Sequence, residues 1–250
     1  MKYMGSKSRV ARSIVPILQS YIKENNIELY LEPFVGGANI IDKIKCKQKI
    51  GNDINRPLIA LLNYVKSDGI LIDEVSKDFY DEVKNNQDKY EDWIVGCVGF
   101  LASYNGRFFD GGYAKSGYEK IKNGFKYRDY YKEAKNNIIV QSKSNLFKQV
   151  VFECGDYIDF LEKYNPKNSL IYFDPPYKDV KQYRNSIRFD YDLFWNTVRK
   201  YSKNNICIVS ELEAPKDFVC IWEKSVSRSI KASDKTKAIE KLFIFIKENK

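Results

Sequence analysis

Seven short apolar runs punctuate this chain: ELYLEPF (28–34), QKIGNDI (48–54), VVFECGD (150–156), LIYFDPP (170–176), ICIVSE (206–211), FVCIWEK (218–224) and KLFIFIKE (241–248). Several stop at Gly, Pro, Asp or Asn, as strands do. Helical stretches fit between them, at about 7–24, 38–46, 56–67, 157–164 and 190–204. Strand alternating with helix predicts an α/β fold built on a doubly wound sheet. The rhythm breaks over 68–148, which reads as helical around a glycine-rich loop, YNGRFFDGGYAKSG (104–117). That stretch is expected to be an inserted, mainly helical subdomain, leaving 1–67 and 149–250 as one domain.

The 250 residues contain no histidine, which excludes Ser-His-Asp triads, Cys-His pairs and most catalytic zinc sites. The five cysteines are far apart and form no C-x-x-C pair, so neither a metal site nor a disulfide framework is suggested. No apolar run approaches a membrane span, and the start of the chain lacks a signal-peptide core. A cytoplasmic protein is the expectation. The net charge of +9 favours polyanions or plain solubility. Residues 111–148 carry nine Lys/Arg against three Asp/Glu, interleaved with aromatic rings. That mixture suits phosphates and unstacked bases, or equally a solvated face over an aromatic core.

Four acids end strand candidates: Glu32, Asp53, Asp156 and Asp174. In open α/β sheets ligands bind outside the strands' carboxyl ends, so these four are expected to line one crevice. Gly36-Gly37 follows the first strand and is read as a turn into a helix whose N–H groups face a ligand. Asp53 comes 17 residues after Gly36, near the spacing of a ribose-binding acid, although it also suits a helix cap. In DPPY (174–177) the prolines end the strand and leave the Pro175 carbonyl without a local partner. Asp174, that carbonyl and the Tyr177 ring would suit a planar heterocycle bearing an amino group.

In this order, KYMGSKSR, EPFVGGANI, NDIN, YNG, DPPY and VSRSI…KLFIF resemble the Dam-like, D12-class DNA adenine-N6 methyltransferases. The resemblance spans most of the chain. It implies a Rossmann-like methyltransferase sheet, S-adenosylmethionine as cofactor, and methyl transfer to adenine N6 by base flipping. It implies that Tyr3 and Lys7 help hold the cofactor and that Phe34, Gly36 and Gly37 meet its methionine part. Asp53 would take the ribose hydroxyls, and Tyr157, beside Asp156, would pack on the cofactor adenine. Asp174 and the Pro175 carbonyl would accept from the target amino group, with Pro176 holding the turn and Tyr177 stacking on the flipped base.

The partner implied is double-stranded DNA, met by Asn105, Arg107, Lys115, Lys120, Lys122, Lys126 and Arg228. The enzyme would act as a monomer or weak dimer, without metal or membrane, in the setting of restriction-modification. Ala38 stands where the glycine motif usually has another Gly. The alternatives are an amino-methyltransferase for guanine or cytosine, and a DNA-binding relative without catalysis.

Overall fold

The computed structural model describes residues 1–121, 123–176, 189–227 and 237–246. A 3-10 turn at Lys7–Arg9 leads into α1 (Ala11–Glu24), whose Ile14, Leu18 and Ile22 recur at helical spacing and are buried. β1 (Leu29–Glu32) and β2 (Gln48–Asp53) follow. α2 (Arg56–Lys66) begins where local chemistry directs: Asn55 accepts from the Leu58 N–H, and Pro57 sits in the first turn, where no donor is needed. α3 (Lys77–Asn85) and α4 (Asp92–Gly96), the latter continued by a π turn over Cys97–Leu101, precede a hairpin of β3 (Gly117–Ile121) and β4 (Gly124–Arg128). Then come α5 (Tyr130–Ser142), α6 (Asn145–Lys148), β5 (Val150–Cys154), α7 (Tyr157–Tyr164) and β6 (Leu170–Phe173). α8 (Tyr191–Ser202), β7 (Ile206–Glu211), β8 (Phe218–Ser227) and β9 (Lys237–Phe245) complete the described chain.

Seven strands form one sheet in the order β5-β2-β1-β6-β7-β9-β8. The first five are parallel; β9 runs antiparallel to both β7 and β8. Alternation along the strands fills two cores. Tyr30, Leu170, Tyr172, Ile208 and Leu242 face α1, α2 and α5. Their neighbours Leu31, Ile171, Phe173, Val209 and Phe243 face α7 and α8. Because β5, β2, β1 and β6 are adjacent and parallel, all four end at the same edge. That edge carries Asp156, Asp53, Glu32 and Asp174.

The structure differs from the sequence expectations in three places. No α-helix forms over 38–46; only a 3-10 turn, Ile41–Lys43, interrupts an irregular loop. The Gly37 and Ala38 carbonyls, which would accept the first helical bonds, accept instead from the Gln141 side chain of α5. The stretch 68–148 includes the β3–β4 hairpin, which its reading as helices and a loop overlooked. Asn123-Gly124 was the available signal, an Asn-Gly pair between alternating residues. Finally, the helices of this stretch have no separate core: Tyr80, Val83, Val95, Phe100, Tyr131 and Ile138 join the cluster that holds α1 and α2.

Candidate active site at the carboxyl edge of the sheet

Asn52, next to the end of β2, ties two loops to that strand. Its amide donates to the Pro33 carbonyl at 3.1 Å and the Gly155 carbonyl at 3.0 Å, while its own carbonyl accepts from Val35 N at 2.7 Å. The loops after β1 and β5 are thereby held against the end of β2. Asn52 is buried; it opens the NDIN motif but was not among the expected site residues.

Asp53 is not the cap of α2, since Asn55 fills that role. Its carboxylate accepts from Gly36 N and from Asn55 N, each at 3.0 Å. Burial raises its pKa, and these two N–H bonds pull the other way. Gly36 has φ +47°, and a Cβ there would stand 2.9 Å from the Tyr3 ring. Glycine is therefore required for the close approach of Tyr3 to this loop. Phe34 lies 5.1 Å from Tyr157 between ring centroids, and Phe189 packs against both at 5.8 and 5.9 Å. Phe189 belongs to no motif and escaped the sequence reading. Asp156 caps α7, accepting from Ile158 N at 2.7 Å. Glu32 is buried and accepts from the Tyr30 hydroxyl at 2.7 Å; burial holds its carboxyl well above the usual range.

Asp174 follows β6, beside buried Pro175 and exposed Pro176. Lys7 lies beneath it, with Nζ 2.9 Å from the Asp174 carboxylate and 3.4 Å from that of Glu240 on β9. Only 5% of the Lys7 side chain is exposed, against 20% for Asp174 and 13% for Glu240. Burial works against the ammonium, but the surrounding acids outweigh it and hold the Lys7 pKa above its ordinary value. Burial pushes the Asp174 carboxyl up to about 6, with Lys7 pulling it down. Its open fifth keeps contact with solvent, and the adjacent ammonium keeps it ionised at neutral pH. Tyr191 donates its hydroxyl to the Pro176 carbonyl at 2.7 Å, bracing the turn from α8. Neither Glu240 nor Tyr191 was among the expected site residues.

The YNG loop reaches the same region. Gly106 has φ +66°, and a Cβ there would meet the Lys2 carbonyl at 2.5 Å, so the loop lies directly on the N-terminal segment. Asn105, with φ +56°, and Arg107 are exposed. On the hairpin Lys120 and Lys126 are exposed, as is Lys115 just before it. Tyr118 and Phe125 are 76% and 72% exposed, which an ordinary core role does not explain. Arg128 joins the two hairpin strands through Glu119 at 3.1 Å and pins the hairpin to α5 through Glu133 at 2.8 Å. Tyr177, Lys122 and Arg228 lie outside the described residues.

The family model for the D12 class N6 adenine-specific DNA methyltransferases matches residues 3–93 and 104–242. The chain belongs to that family. It is 30% identical over 205 residues to the type II methyltransferase M.MjaIII of Methanocaldococcus jannaschii, covering 73% of this chain and 70% of that protein. It is 22% identical over 200 residues to the type II methyltransferase M.FokI of Planomicrobium okeanokoites, covering 71% of this chain but only 28% of that longer protein. Among solved structures, the rRNA methyltransferase aviRa from Streptomyces viridochromogenes aligns over 96% of this chain and 84% of its own, at 8% identity and a TM-score of 0.43. That likeness is too loose to carry an argument. Among the described residues no helix is long and apolar enough to cross a membrane.

Proposed function

We propose that this family member methylates adenine N6 in duplex DNA, using S-adenosylmethionine and a base turned out of the helix. The observation that carries the reading is Asp174: a partly open carboxylate on a rigid Pro-Pro turn, held by a buried lysine. It shares an edge with a glycine loop, a buried acid and a ring cluster. These fit the cofactor residue by residue. Asp53 suits the ribose hydroxyls, Phe34 and Tyr157 the adenine, and Tyr3 with the Gly36-Gly37 backbone the methionine part. Asp156 keeps one oxygen for the ligand after capping α7, and Glu32 shapes the floor. Lys7, expected beside the cofactor, also holds Asp174. When bound, the cofactor supplies an electrophilic methyl group on a positively charged sulfur.

The amino nitrogen of adenine is a poor nucleophile because its lone pair is delocalised into the ring. Asp174 and the Pro175 carbonyl accept its two N–H groups, which favours a pyramidal nitrogen with the lone pair free. As the nitrogen gains positive charge, the fixed carboxylate stabilises it. Much of the remaining acceleration comes from holding the reactants in line. Turning the base out costs a few kcal/mol, offset by pocket contacts such as Tyr177.

Target recognition is assigned to 68–148, and within it to the hairpin and the loop bearing Asn105 and Arg107. Lys115, Lys120, Lys122, Lys126 and Arg228 meet phosphates. The relatives named as type II methyltransferases favour a restriction-modification setting, with a cytoplasmic enzyme acting as a monomer or weak dimer. Incubating DNA with the protein and methyl-labelled cofactor, then analysing nucleosides, tests the reaction. Label in N6-methyladenine is expected; label on cytosine or guanine, or in RNA alone, overturns it.

Two further results follow from this reading. The acceptor must be ionised, so protonating Asp174 removes activity. Because burial raises its pKa to about 6, kcat/KM is expected to fall about tenfold per pH unit below that value. Initial rates between pH 5 and 8 check this; a flat profile would remove Asp174 from its role. On the hairpin, Lys120→Gln with Lys126→Gln should weaken binding to all sequences alike. It should also lower the slope of log K against log salt by about 1.8, for two phosphate contacts. Arg107→Ala should instead cost about 1–3 kcal/mol at one or two base pairs.

A further inference from the structure

Ala38 carries a backbone that alanine rarely adopts. Its φ is +55°, in the left-handed region where a Cβ crowds its own carbonyl, and its side chain is fully buried. Such strain persists only where the surroundings impose it. The Ala38 N–H closes a turn on the Val35 carbonyl at 2.9 Å, and the carbonyls of Gly37 and Ala38 are held from α5. The side-chain amide nitrogen of Gln141 lies within hydrogen-bond distance of three acceptors, the Ala38 carbonyl at 3.0 Å, the Gly37 carbonyl at 3.1 Å and the Asp42 carboxylate at 3.0 Å, which share its two hydrogens. One NH2 group thus grips both peptides that flank the strained residue. The amide oxygen accepts from the Met1 amino group, which also donates to Asn39 Oδ1 at 3.0 Å. The other end of the same loop is set by Asp53, which holds Gly36 N.

The geometry points to Gln141 as a positioning residue for the cofactor. It holds Ala38 left-handed, and so fixes Gly36-Gly37 in the shape that faces Tyr3, Phe34 and Asp53. This rests on the reading of that loop as the S-adenosylmethionine cradle. No cofactor contact by Gln141 is involved. A loop freed from the clamp relaxes Ala38 to negative φ and carries Gly37 with it. Glycine at 38 has no Cβ to crowd and takes left-handed φ without the clamp, so the two positions should be coupled.

Titration calorimetry with S-adenosylhomocysteine on the full chain decides it. Gln141→Met keeps the volume but loses the donors; Gln141→Asn is a milder change that keeps the amide and shortens its reach. Each should bind at least tenfold more weakly than wild type while circular dichroism and DNA affinity stay unchanged. Ala38→Gly alone should bind within threefold of wild type. Combined with Gln141→Met, it should recover most of the loss. A Gln141→Met or Gln141→Asn protein that binds like wild type overturns the clamp, and so does a double variant that recovers nothing. A wild-type chain that binds no S-adenosylhomocysteine overturns the cofactor reading, and the clamp with it.

Discussion

Replacing Asp174 with Ala is expected to abolish detectable methyl transfer, a loss of at least about 10²–10³-fold, the range for removing one fixed group that stabilises transition-state charge. The effect should fall on kcat, because the carboxylate meets charge that develops only as the new bond forms. The fold should survive, since the cation beneath is not orphaned: Lys7 retains Glu240 at 3.4 Å. Cofactor affinity should stay within a few-fold of wild type, because Asp53 and the Phe34–Tyr157 pair stand on other strand ends. Asp174→Asn keeps an oxygen acceptor without the charge, so a small residual rate should remain, without the acid limb near pH 6. Single-turnover methylation of a DNA substrate measures both variants. Turnover by Asp174→Ala within tenfold of wild type would refute the assignment.

Removing Lys7 should have the largest effect on stability. Lys7→Met leaves the Asp174 and Glu240 carboxylates, both largely buried, without the ammonium between them. Breaking a buried ion pair from one side costs about 3–5 kcal/mol. In a chain of this size that is a loss of about 6–20 °C in Tm. The variant also changes the pH profile in a defined direction. Without Lys7 the pull that opposes burial is gone, so Asp174 titrates above its value of about 6. The acid limb of kcat/KM then moves to higher pH, and activity at pH 7 falls. Lys7→Arg keeps the charge in a bulkier head and should lie between the two. Denaturant melts and pH–rate profiles measured together check this; a Lys7→Met protein with wild-type stability and an unmoved limb would show that Lys7 does not control Asp174.

Some of this site was legible residue by residue. Pro175 and Pro176 cannot continue a ladder, so β6 had to end near Asp174 wherever that strand lay in the sheet. Asn55 and Pro57 likewise start α2 from local chemistry alone. The Asp53–Gly36 relation was visible as a spacing, and the structure turns it into a hydrogen bond. Other parts had weaker signals. Asn123-Gly124 marked the hairpin, but a neighbourhood rich in glycine and lysine hid it. The stretch 38–46 has helical periodicity, and it fails as a helix because a side chain 103 residues away takes the carbonyl of Ala38.

The sequence by itself determined the strand ends, the acids placed on them, the absence of histidine chemistry and the ordered motifs of the family. Each depends on what one residue does to its own backbone or to its near neighbours along the chain. The tertiary structure alone decided that Lys7 meets Asp174 and Glu240, that Asn52 ties two loops to β2, and that Gln141 grips the glycine loop. Those contacts join segments distant in sequence. They arise only once the order β5-β2-β1-β6-β7-β9-β8 has set which strands lie side by side. Strand order is a property of the whole packed chain, because it is chosen by burying two apolar faces at once, and no local pattern encodes that choice.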